Sequence, residues 1–518
     1  MRTSQIPVLP WTWAWGAMAL AFPWSNAFMS VATGFLGLTA LTRWKRWQRP
    51  FPKNTEARAL RTAGMSLFLL VVWSGVSFLW GGDGPATLHD VRVKLPLAVG
   101  GMAMWVMGHE SERQEGEVWN GVLKLAVFSS LAAAFSIVFL DLLDGGPSGG
   151  RQASRFISHI RYGLWWALII PWVCARLNGR WIGATFIGAI ISWSWTQGLS
   201  GALLAGALAP WWGTTLWHRL RTHGGFSAEQ TWPDSRSVNR AVLFLCALFI
   251  PITGAVLWSL PLALPDASVL SAQSAKGEVY VHKLERRVTE NGHHVWVEVA
   301  WGELARSWGQ RSAVPFADIQ GSLVRFLASK GSPKDAAGVM ALSSDEVRAV
   351  ERRIPSVVEL EGSPWARRWN RFKFNWGEWW DGYRSPEASI LARSVYLEAG
   401  LLTWSRMSAV SWLVGSGSGV ESRRLEAVYV SDFPDWPEPG RKRPHNQFLT
   451  LLLSSGGVGL GLMLSALIAM WRHKPARPGV CLLAISFLAE DTLETQAGVT
   501  LAIVALAWGA FIPSRSSP

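Results

Sequence analysis

Long apolar segments separated by short polar stretches run through both ends of the chain. A helix crosses about 30 Å of hydrocarbon when roughly 17–25 consecutive residues are mostly apolar. The sequence contains about twelve candidate segments, and several of them are short or interrupted by proline. They lie at 11–23, 25–42, 63–81, 95–108, 119–141, 162–175, 181–196, 199–217, 241–260, 447–470, 479–490 and 497–512. The pattern predicts an all-α polytopic membrane protein.

Between the ninth and tenth segments the apolar runs shorten and turn residues become frequent. This change predicts a water-exposed insert at 261–446. The expected organisation therefore has three parts: nine transmembrane helices in 1–260, the insert, and three transmembrane helices in 447–518.

The insert shows one β-type pattern. Residues 278–284 and 294–300 alternate between apolar and polar around Asn291-Gly292, a dipeptide typical of two-residue hairpin turns. The sequence predicts a small β-hairpin there.

The rest of the insert is predicted to be mainly helical. Residues 318–329 and 343–353 are amphipathic, and the second segment opens with Ser343 and Glu346 at the spacing of a capping box. A further helix is expected to begin at Ser385-Pro386 and to end near residue 405, since proline is tolerated in a first helical turn.

Two segments of the insert have unusual composition. Residues 365–380 contain five tryptophans and four cations, which fits either a surface helix at a membrane interface or a surface that contacts sugars or lipid headgroups. Residues 415–419, Gly-Ser-Gly-Ser-Gly, follow a helix rather than a strand, so we expect a flexible turn and not a phosphate-binding loop.

Composition supports the membrane assignment. Only 16% of the residues are charged, against about 25% in soluble proteins, and 34 tryptophans stand beside 5 tyrosines, as suits membrane interfaces. The net charge of +13 falls largely in alternate loops between the predicted spans, at 43–61, 176–180, 219–240 and 472–477. By the positive-inside rule these loops face the cytoplasm and the insert faces outward. The charge thus gives an orientation, and we expect no nucleic-acid partner.

Cysteine and histidine spacing gives no sign of a metal centre. The chain has 3 cysteines, all in predicted spans, and no CxxC or HExxH motif. We therefore expect no metal and no cofactor.

Candidate chemistry lies at the predicted outer ends of the spans, where an ionisable group needs a partner or a function. The residues concerned are Arg92, Lys94, His159, Arg161, Arg393, His445 and Asn446. Guanidinium groups bind diphosphate through bidentate hydrogen bonds, and imidazole exchanges protons near neutral pH. Anchoring to lipid phosphates would equally explain Arg92 and Lys94, and a purely structural role would explain His445.

Several motifs together resemble the O-antigen ligase family. Arg443-Pro444-His445-Asn446-Gln447-Phe448-Leu449, followed by Gly456-Gly457-Val458-Gly459, resembles the motif that opens the span after the family's large external loop. Similar stretches occur at 156–163, 323–336 and 490–498. The expected twelve spans and one large external loop also agree with this family. One departure is Leu199-Ser200-Gly201, where many relatives carry Ser-Arg-Gly.

The resemblance implies an inverting, metal-independent glycosyltransferase of the bacterial inner membrane, with its active site facing the periplasm. Such an enzyme moves O-antigen polysaccharide from undecaprenyl diphosphate to the lipid A–core oligosaccharide in lipopolysaccharide biosynthesis. Carried over, His445, Arg393 and Arg161 are the expected catalytic residues, and Arg92, Lys94, His159 and Asn446 are expected to bind substrate.

Other functions remain open. An O-antigen polymerase and a protein O-oligosaccharyltransferase use the same donor with another acceptor. A transporter of the lipid-linked sugar is the non-enzymatic alternative.

Overall fold

The structure, a computed structural model, describes residues 11–43, 55–108, 116–144, 156–196, 199–221, 270–386 and 391–511. The chain divides into two compact units. The first comprises Met1–Ala247, Tyr396–Asp435 and Arg441–Pro518, and the second comprises Leu248–Val395 and Trp436–Gly440. Residues 396–435, which the sequence assigns to the insert, thus belong to the first unit, and the predicted boundary at 260/261 lies outside the described residues.

The described residues are mainly helical. The amino-terminal helices are α1 (Trp11–Ala21), α2 (Asn26–Leu41), α3 (Thr55–Val76), α4 (Phe78–Gly81), α5 (Gly84–Met107), α6 (Gly116–Leu143), α7 (His159–Arg176), α8 (Gly179–Trp195), α9 (Leu199–Ala207) and α10 (Ala209–Arg221). The strands β1 (Thr289–Glu290) and β2 (His293–His294) precede α11 (Trp301–Gly309), α12 (Phe316–Ser329), α13 (Ala336–Met340), α14 (Ser344–Glu351), α15 (Val357–Glu361) and α16 (Pro364–Trp380). The carboxyl-terminal helices are α17 (Ala392–Ser405), α18 (Ala409–Val414), α19 (Glu421–Asp432), α20 (Gln447–Trp471), α21 (Arg477–Ala489) and α22 (Gln496–Ala507).

Every predicted span except 241–260, which lies outside the described residues, coincides with helix. Within the described part of the chain, three helical segments are long and apolar enough to cross a membrane: Ala57–Gly81, Trp119–Leu143 and Gln447–Trp471. The structure therefore has the character of an all-α membrane protein.

Two of the shorter apolar helices form the centre of the first unit. From Tyr162 to Ala175 every side chain of α7 is buried, and α22 is buried from Ala497 to its end. A helix that is apolar on all sides is stable only when other helices surround it. The burial of α7 and α22 explains why the sequence shows apolar runs there without the length of a lipid-facing span.

The helix that follows His445 is interrupted near its middle. Gly456 in α20 has φ 65° and ψ −166°, outside helical values, so carbonyl groups before it lose their helical partners. The backbone of the glycine-rich segment supplies replacements, because the Ser416 N–H donates to Leu453 O (2.9 Å) and the Gly417 N–H donates to Ser454 O (3.0 Å).

The segment 415–419 is packed rather than flexible, so the predicted flexible turn is wrong. The Ser418 N–H donates to the Ser77 hydroxyl (2.9 Å), and the Thr87 hydroxyl donates to Ser418 O (3.1 Å). Gly415, Gly417 and Gly419 all have positive φ, which glycine adopts without a steric penalty. The glycines thus allow close backbone packing against α3, α5 and α20.

The second unit confirms the predicted turn at Asn291-Gly292. Both residues have positive φ (48° and 86°), and β1 pairs with β2 across them. The strands are shorter than predicted, since pairing between 278–284 and 294–300 is limited to the Val281–Val299 bridge and the Lys283 N–H to Trp296 O hydrogen bond. Glu298 has φ 53°, which interrupts the extended backbone.

Helices of the second unit follow their sequence signals closely. The helix predicted at 318–329 is α12, and α14 begins with the expected reciprocal capping box of Ser343 and Glu346. Buried apolar side chains such as Leu323, Phe326 and Leu327 form its core. The helix expected from Ser385-Pro386 begins instead at Ala392, and residues 387–390 lie outside the described part.

The tryptophan-rich segment forms α16, whose aromatic side chains stack along one side. Trp369, Phe372, Trp376 and Trp379 follow one another with ring centroids 5.5, 6.0 and 5.5 Å apart. Residues three or four positions apart are neighbours on a helix, so the sequence spacing produces the ladder directly.

Candidate functional site

The candidate site is built where the start of α20 meets the connection between α21 and α22. His445 has φ 50°, a left-handed backbone that is uncommon for a residue with a side chain. Its N–H donates to Asp491 Oδ2 (3.0 Å), and the Thr450 hydroxyl donates to Asp491 Oδ1 (2.6 Å). Asp491 therefore holds the backbone of His445 in a conformation that costs about 1–3 kcal/mol.

The imidazole of His445 lies between an aromatic ring and a carboxylate. The ring of Tyr396 is 5.3 Å away, centroid to centroid, with an interplanar angle of 30°. Nδ1 is 3.5 Å from Glu490 Oε2 and forms no hydrogen bond with a described residue. The side chain is 25% exposed, so the imidazole is accessible and has a carboxylate as its neighbour.

Arg161 reaches the same connection from α7. Its Nη2 donates to the backbone oxygen of Asp491 (3.3 Å), and its side chain is buried. His159 is the first residue of α7 and is partly exposed. Asp491 thus contacts both the side chain of Arg161 and the backbone of His445.

Next to this site lies a network of buried charges. The ammonium group of Lys94 contacts Asp90 (2.7 Å) and Glu494 (3.3 Å). Arg443 pairs with Glu494 (2.5 Å) and with Glu421 (3.0 Å). Opposite charges alternate through the network, which lowers the cost of burying each one.

The network shifts the pKa values of its carboxyl groups in opposite directions. Burial opposes ionisation of Glu494, but Lys94 and Arg443 outweigh it and lower its pKa to about 2. Burial raises the pKa of Glu421 to about 7, because Arg443 compensates only part of the desolvation. One carboxyl oxygen of Glu421 has no hydrogen-bond partner among the described residues. Burial also raises the pKa of Asp491.

The other predicted residues occupy different environments. Arg92 is exposed on α5, whereas Lys94 is fully buried, so the two are separated on the helix. Asn446 caps α20, its Oδ1 accepting the Leu449 N–H (3.0 Å). Arg393 is partly exposed in the first turn of α17 and belongs to the second unit.

Sequence reasoning missed the residues that support the site. Asp491, Glu494 and Glu421 were not predicted, nor was Gln447, which accepts the Leu493 N–H (2.6 Å) and donates to Glu494 (3.3 Å). A usable signal was present, because Glu490, Asp491 and Glu494 stand between two apolar segments where acidic groups are costly.

Among the residues that the structure describes, no three histidine, cysteine, aspartate or glutamate side chains are arranged to hold a metal ion. Comparison with known proteins finds no family model that matches the chain and no curated protein with significant similarity to it.

Proposed function

We propose that this protein is an inverting, metal-independent glycosyltransferase of the O-antigen ligase type. It spans the bacterial inner membrane about twelve times and acts at the periplasmic face. It transfers O-antigen polysaccharide from undecaprenyl diphosphate to a hydroxyl of the lipid A–core oligosaccharide. The proposal starts from the motif resemblance at 443–459 and rests structurally on one observation, the strained His445.

The geometry of His445 supports a catalytic role better than a structural one. Backbone strain persists only where the surroundings impose it, and it is concentrated at functional sites. Here a buried carboxylate imposes the strain, while the imidazole itself remains partly exposed. A histidine that served only for packing would need neither feature.

The reaction assigns a separate task to each group. The acceptor hydroxyl oxygen attacks the anomeric carbon of the donor sugar, and the bond from that carbon to the diphosphate oxygen breaks. The diphosphate leaves with the bonding electrons, and the anomeric configuration inverts. His445 takes the hydroxyl proton, and Glu490 near Nδ1 stabilises the imidazolium.

Cations near the departing diphosphate would stabilise the negative charge that develops on it in the transition state. Arg161 is the candidate that shares Asp491 with His445. Lys94 and Arg443 are each bound to two carboxylates, which makes them supports of the site rather than diphosphate ligands. Arg393, Arg92 and His159 keep the substrate-binding roles that the sequence suggests.

Two neighbouring activities share this chemistry. An O-antigen polymerase and a protein O-oligosaccharyltransferase differ from a ligase in the acceptor alone, and the ligase is favoured by the resemblance at 323–336. A lipid-linked sugar transporter stays the non-enzymatic alternative, since Asp90 and Asp141 are buried on long helices, where acidic groups can serve transport.

The decisive variant is His445→Ala, with His89→Ala as its matched control, because His89 is exposed on α5. Purified protein in detergent is mixed with undecaprenyl-diphosphate-linked polysaccharide and lipid A–core. We expect the wild-type protein and His89→Ala to join the two substrates and His445→Ala to lose at least about a hundredfold in rate. Full transfer by His445→Ala would end the catalytic assignment of His445, and absence of transfer by the wild-type protein would end the glycosyltransferase proposal and favour a transporter.

The acceptor is identified in cells by gel analysis of lipopolysaccharide from a deletion strain. Loss of the whole O-antigen ladder with accumulation of lipid-linked polymer is expected for a ligase. Loss of everything beyond one repeat would identify a polymerase instead.

Arginine chemistry is tested by Arg161→Lys and Arg393→Lys. Lysine keeps the charge but not the planar fork that binds phosphate oxygens bidentately. We expect both variants to transfer more slowly than the wild-type protein, and unchanged rates would remove the arginines from the mechanism.

A further inference from the structure

The second unit contains a cavity of about 610 Å³. Residues of α12 and α16 form much of its wall, and the segments around Arg353 and Tyr383 complete it. Ligand sites typically measure about 300–1,000 Å³, so the cavity is large enough for a sugar of two or three residues and far larger than a phosphate ion.

The wall of this cavity, hereafter the arginine cavity, is strongly basic. Two acidic residues, Asp318 and Glu378, line it beside five arginines. The arginines are Arg286, Arg325, Arg353, Arg371 and Arg384. Three of them pair with carboxylates: Arg286 with Glu378, Arg325 with Glu290 and Arg371 with Glu359. The positive charge that remains around one concave surface favours an anionic ligand.

Two of the guanidinium groups are held rigidly in the wall. Arg286 binds Glu378 and lies between the rings of Trp296 (3.8 Å) and Tyr383 (4.2 Å). Arg325 binds Glu290 and lies 3.4 Å from the ring centroid of Phe374. Carboxylates already engage both groups, and Arg325 also lies 3.8 Å from Glu359. These two arginines therefore shape the wall, and contact with an anionic group falls to the more exposed arginines.

Arg353 adds an accessible charge to the wall. It follows the end of α14 with φ 60°, a position where glycine is usual, and its N–H donates to Val350 O (2.8 Å). The side chain is exposed, and among the described residues it has no ion-pair partner. The Ile354 N–H donates to Ala349 O (3.0 Å), so the left-handed backbone ends the helix in a Schellman motif, and the exposed side chain of Arg353 lines the cavity.

The remaining wall suits a carbohydrate. Trp379 and Tyr383 contribute aromatic rings, whose apolar faces can pack on the C–H faces of sugars, and Asn375, Ser322 and Gln320 contribute neutral hydrogen-bonding groups for hydroxyls. Inorganic phosphate would leave the two aromatic rings without a partner.

We propose that the arginine cavity binds an anionic saccharide, in which phosphate or carboxylate groups contact the arginines and sugar rings contact Trp379 and Tyr383. The saccharide part of this inference rests on the proposed glycosyltransferase function, whereas the anionic part rests on the cavity alone. The cavity lies within the second unit and is separate from the residues around His445.

The inference is tested by calorimetric titration of the full-length protein in detergent. The probes are maltotriose 1-phosphate, maltotriose and inorganic phosphate. We expect the sugar phosphate to bind most tightly and Arg353→Gln to weaken it by about tenfold. Arg352→Gln is the matched control, because Arg352 is an exposed neighbour that does not line the cavity, and it should bind like the wild-type protein.

A steric variant checks the location. Gly321 lines the cavity, and a Cβ added there meets no atom within 4 Å, so Gly321→Trp should fold and yet reduce binding at least as much as Arg353→Gln. Equal binding by the wild-type protein, Arg353→Gln and Gly321→Trp would overturn the inference. Equal affinity for maltotriose with and without phosphate would overturn its anionic part, and equal affinity for inorganic phosphate would overturn its saccharide part.

The two proposals fail separately. His445→Ala should bind maltotriose 1-phosphate normally while losing transfer. If the wild-type protein transferred nothing but bound maltotriose 1-phosphate more tightly than maltotriose, the glycosyltransferase proposal would fall and the anionic part of the cavity inference would stand. If His445→Ala lost transfer but no protein bound the sugar phosphate, the cavity inference alone would be wrong.

Discussion

Glu421 and Glu494 are buried carboxyl groups that share Arg443 as a partner, yet their replacement by glutamine should have opposite effects on stability. Asp90, Lys94, Arg443 and Glu494 already balance as two negative and two positive charges. A proton on Glu421 preserves this balance, and its ionisation adds an uncompensated negative charge. Burial raises the pKa of Glu421 to about 7 and the neighbouring carboxylates add to the rise, while Lys94 and Arg443 overcome burial and lower the pKa of Glu494 to about 2.

The expected magnitude follows from the shift in pKa. The folded protein raises the pKa of Glu421 from 4.5 to about 7, and each unit corresponds to 1.36 kcal/mol, which gives about 3 kcal/mol. A raised pKa stabilises the folded protein fully below pH 4.5, and this contribution is lost as the pH rises to about 7. At pH 8 we therefore expect Glu421→Gln to be more stable than the wild-type protein by up to about 3 kcal/mol, and at pH 5 we expect the two to be similar.

Glu494→Gln should behave in the opposite way. It removes the carboxylate that lies between Lys94 and Arg443, and removing one partner from a buried ion pair costs about 3–5 kcal/mol. Because the pKa of Glu494 is lowered to about 2, its contribution is present above pH 4.5 and is lost only as the pH falls towards 2. The destabilisation should therefore be full at pH 5 and smaller at pH 8, where removal of Glu494 also eases the ionisation of Glu421.

Thermal unfolding of the purified full-length variants in one detergent, at pH 5 and pH 8, measures both effects. Asp83→Asn serves as a control, because Asp83 pairs at the end of α5 with the exposed Arg423, and such pairs are worth at most about 1 kcal/mol. The reasoning is refuted if Glu421→Gln lowers the unfolding midpoint at pH 8 as much as Glu494→Gln does, since Glu421 would then be an ionised partner of Arg443.

Three further tests examine the backbone and hydrogen bonds around the site by thermal unfolding and transfer assays. His445→Gly and His445→Ala should both be inactive, but the glycine variant should be more stable by about 1 kcal/mol because φ 50° suits glycine; an alanine variant of equal or greater stability would contradict the strain. Gly415→Ala would place a Cβ 2.2 Å from Ser454 O and should lower the free energy of unfolding by at least about 2 kcal/mol. Gly82→Ala, at φ 72° with open space around it, should lower it by about 1 kcal/mol. Equal losses would mean that the close packing of residues 415–419 is unimportant for stability. Thr450→Val removes the hydroxyl that donates to Asp491. It should lower the free energy of unfolding by about 1–3 kcal/mol and slow transfer. An unchanged rate of transfer would show that Asp491 positions His445 without the Thr450 hydrogen bond.

Local sequence signals predicted local structure well. The capping box of Ser343 and Glu346 and the turn at Asn291-Gly292 each depend on residues within three or four positions of one another. The periodicity of 318–329 likewise reports which side of one helix is buried. Signals of this kind need no knowledge of the distant chain.

The supporting charges of the site could not be predicted in the same way. Lys94, Glu421, Arg443 and Glu494 are distant in sequence, and their pairing arises only from the packing of α5, α19 and α20 with the connection before α22. Lys94 and Arg92 look equivalent in the sequence, yet the helix buries one and exposes the other. Contacts with residues distant in the sequence therefore determine which of these two cations is available to a ligand.

The glycine-rich segment shows a second limit of prediction from the sequence. Gly415 to Gly419 has the composition of a flexible linker, and flexibility is the usual interpretation of such a run. In the fold, the glycines of this segment have no side chain, so its backbone can lie close to Ser454, Gly81 and Ala86. Composition alone does not distinguish these uses of glycine.

The interruption of α20 at Gly456 also has a consequence for biosynthesis. The carbonyl groups of Leu453 and Ser454 need donors from residues 416 and 417, and unpaired carbonyl groups in an apolar surrounding cost several kcal/mol each. Those donors emerge from the ribosome before α20 does, and Trp73, whose indole N–H donates to Ser455 O (3.0 Å), emerges earlier still. When α20 is synthesised, the donors for its unpaired carbonyl groups have therefore already been made. In a chain that presented α20 first, those carbonyl groups would lack partners until the donors followed.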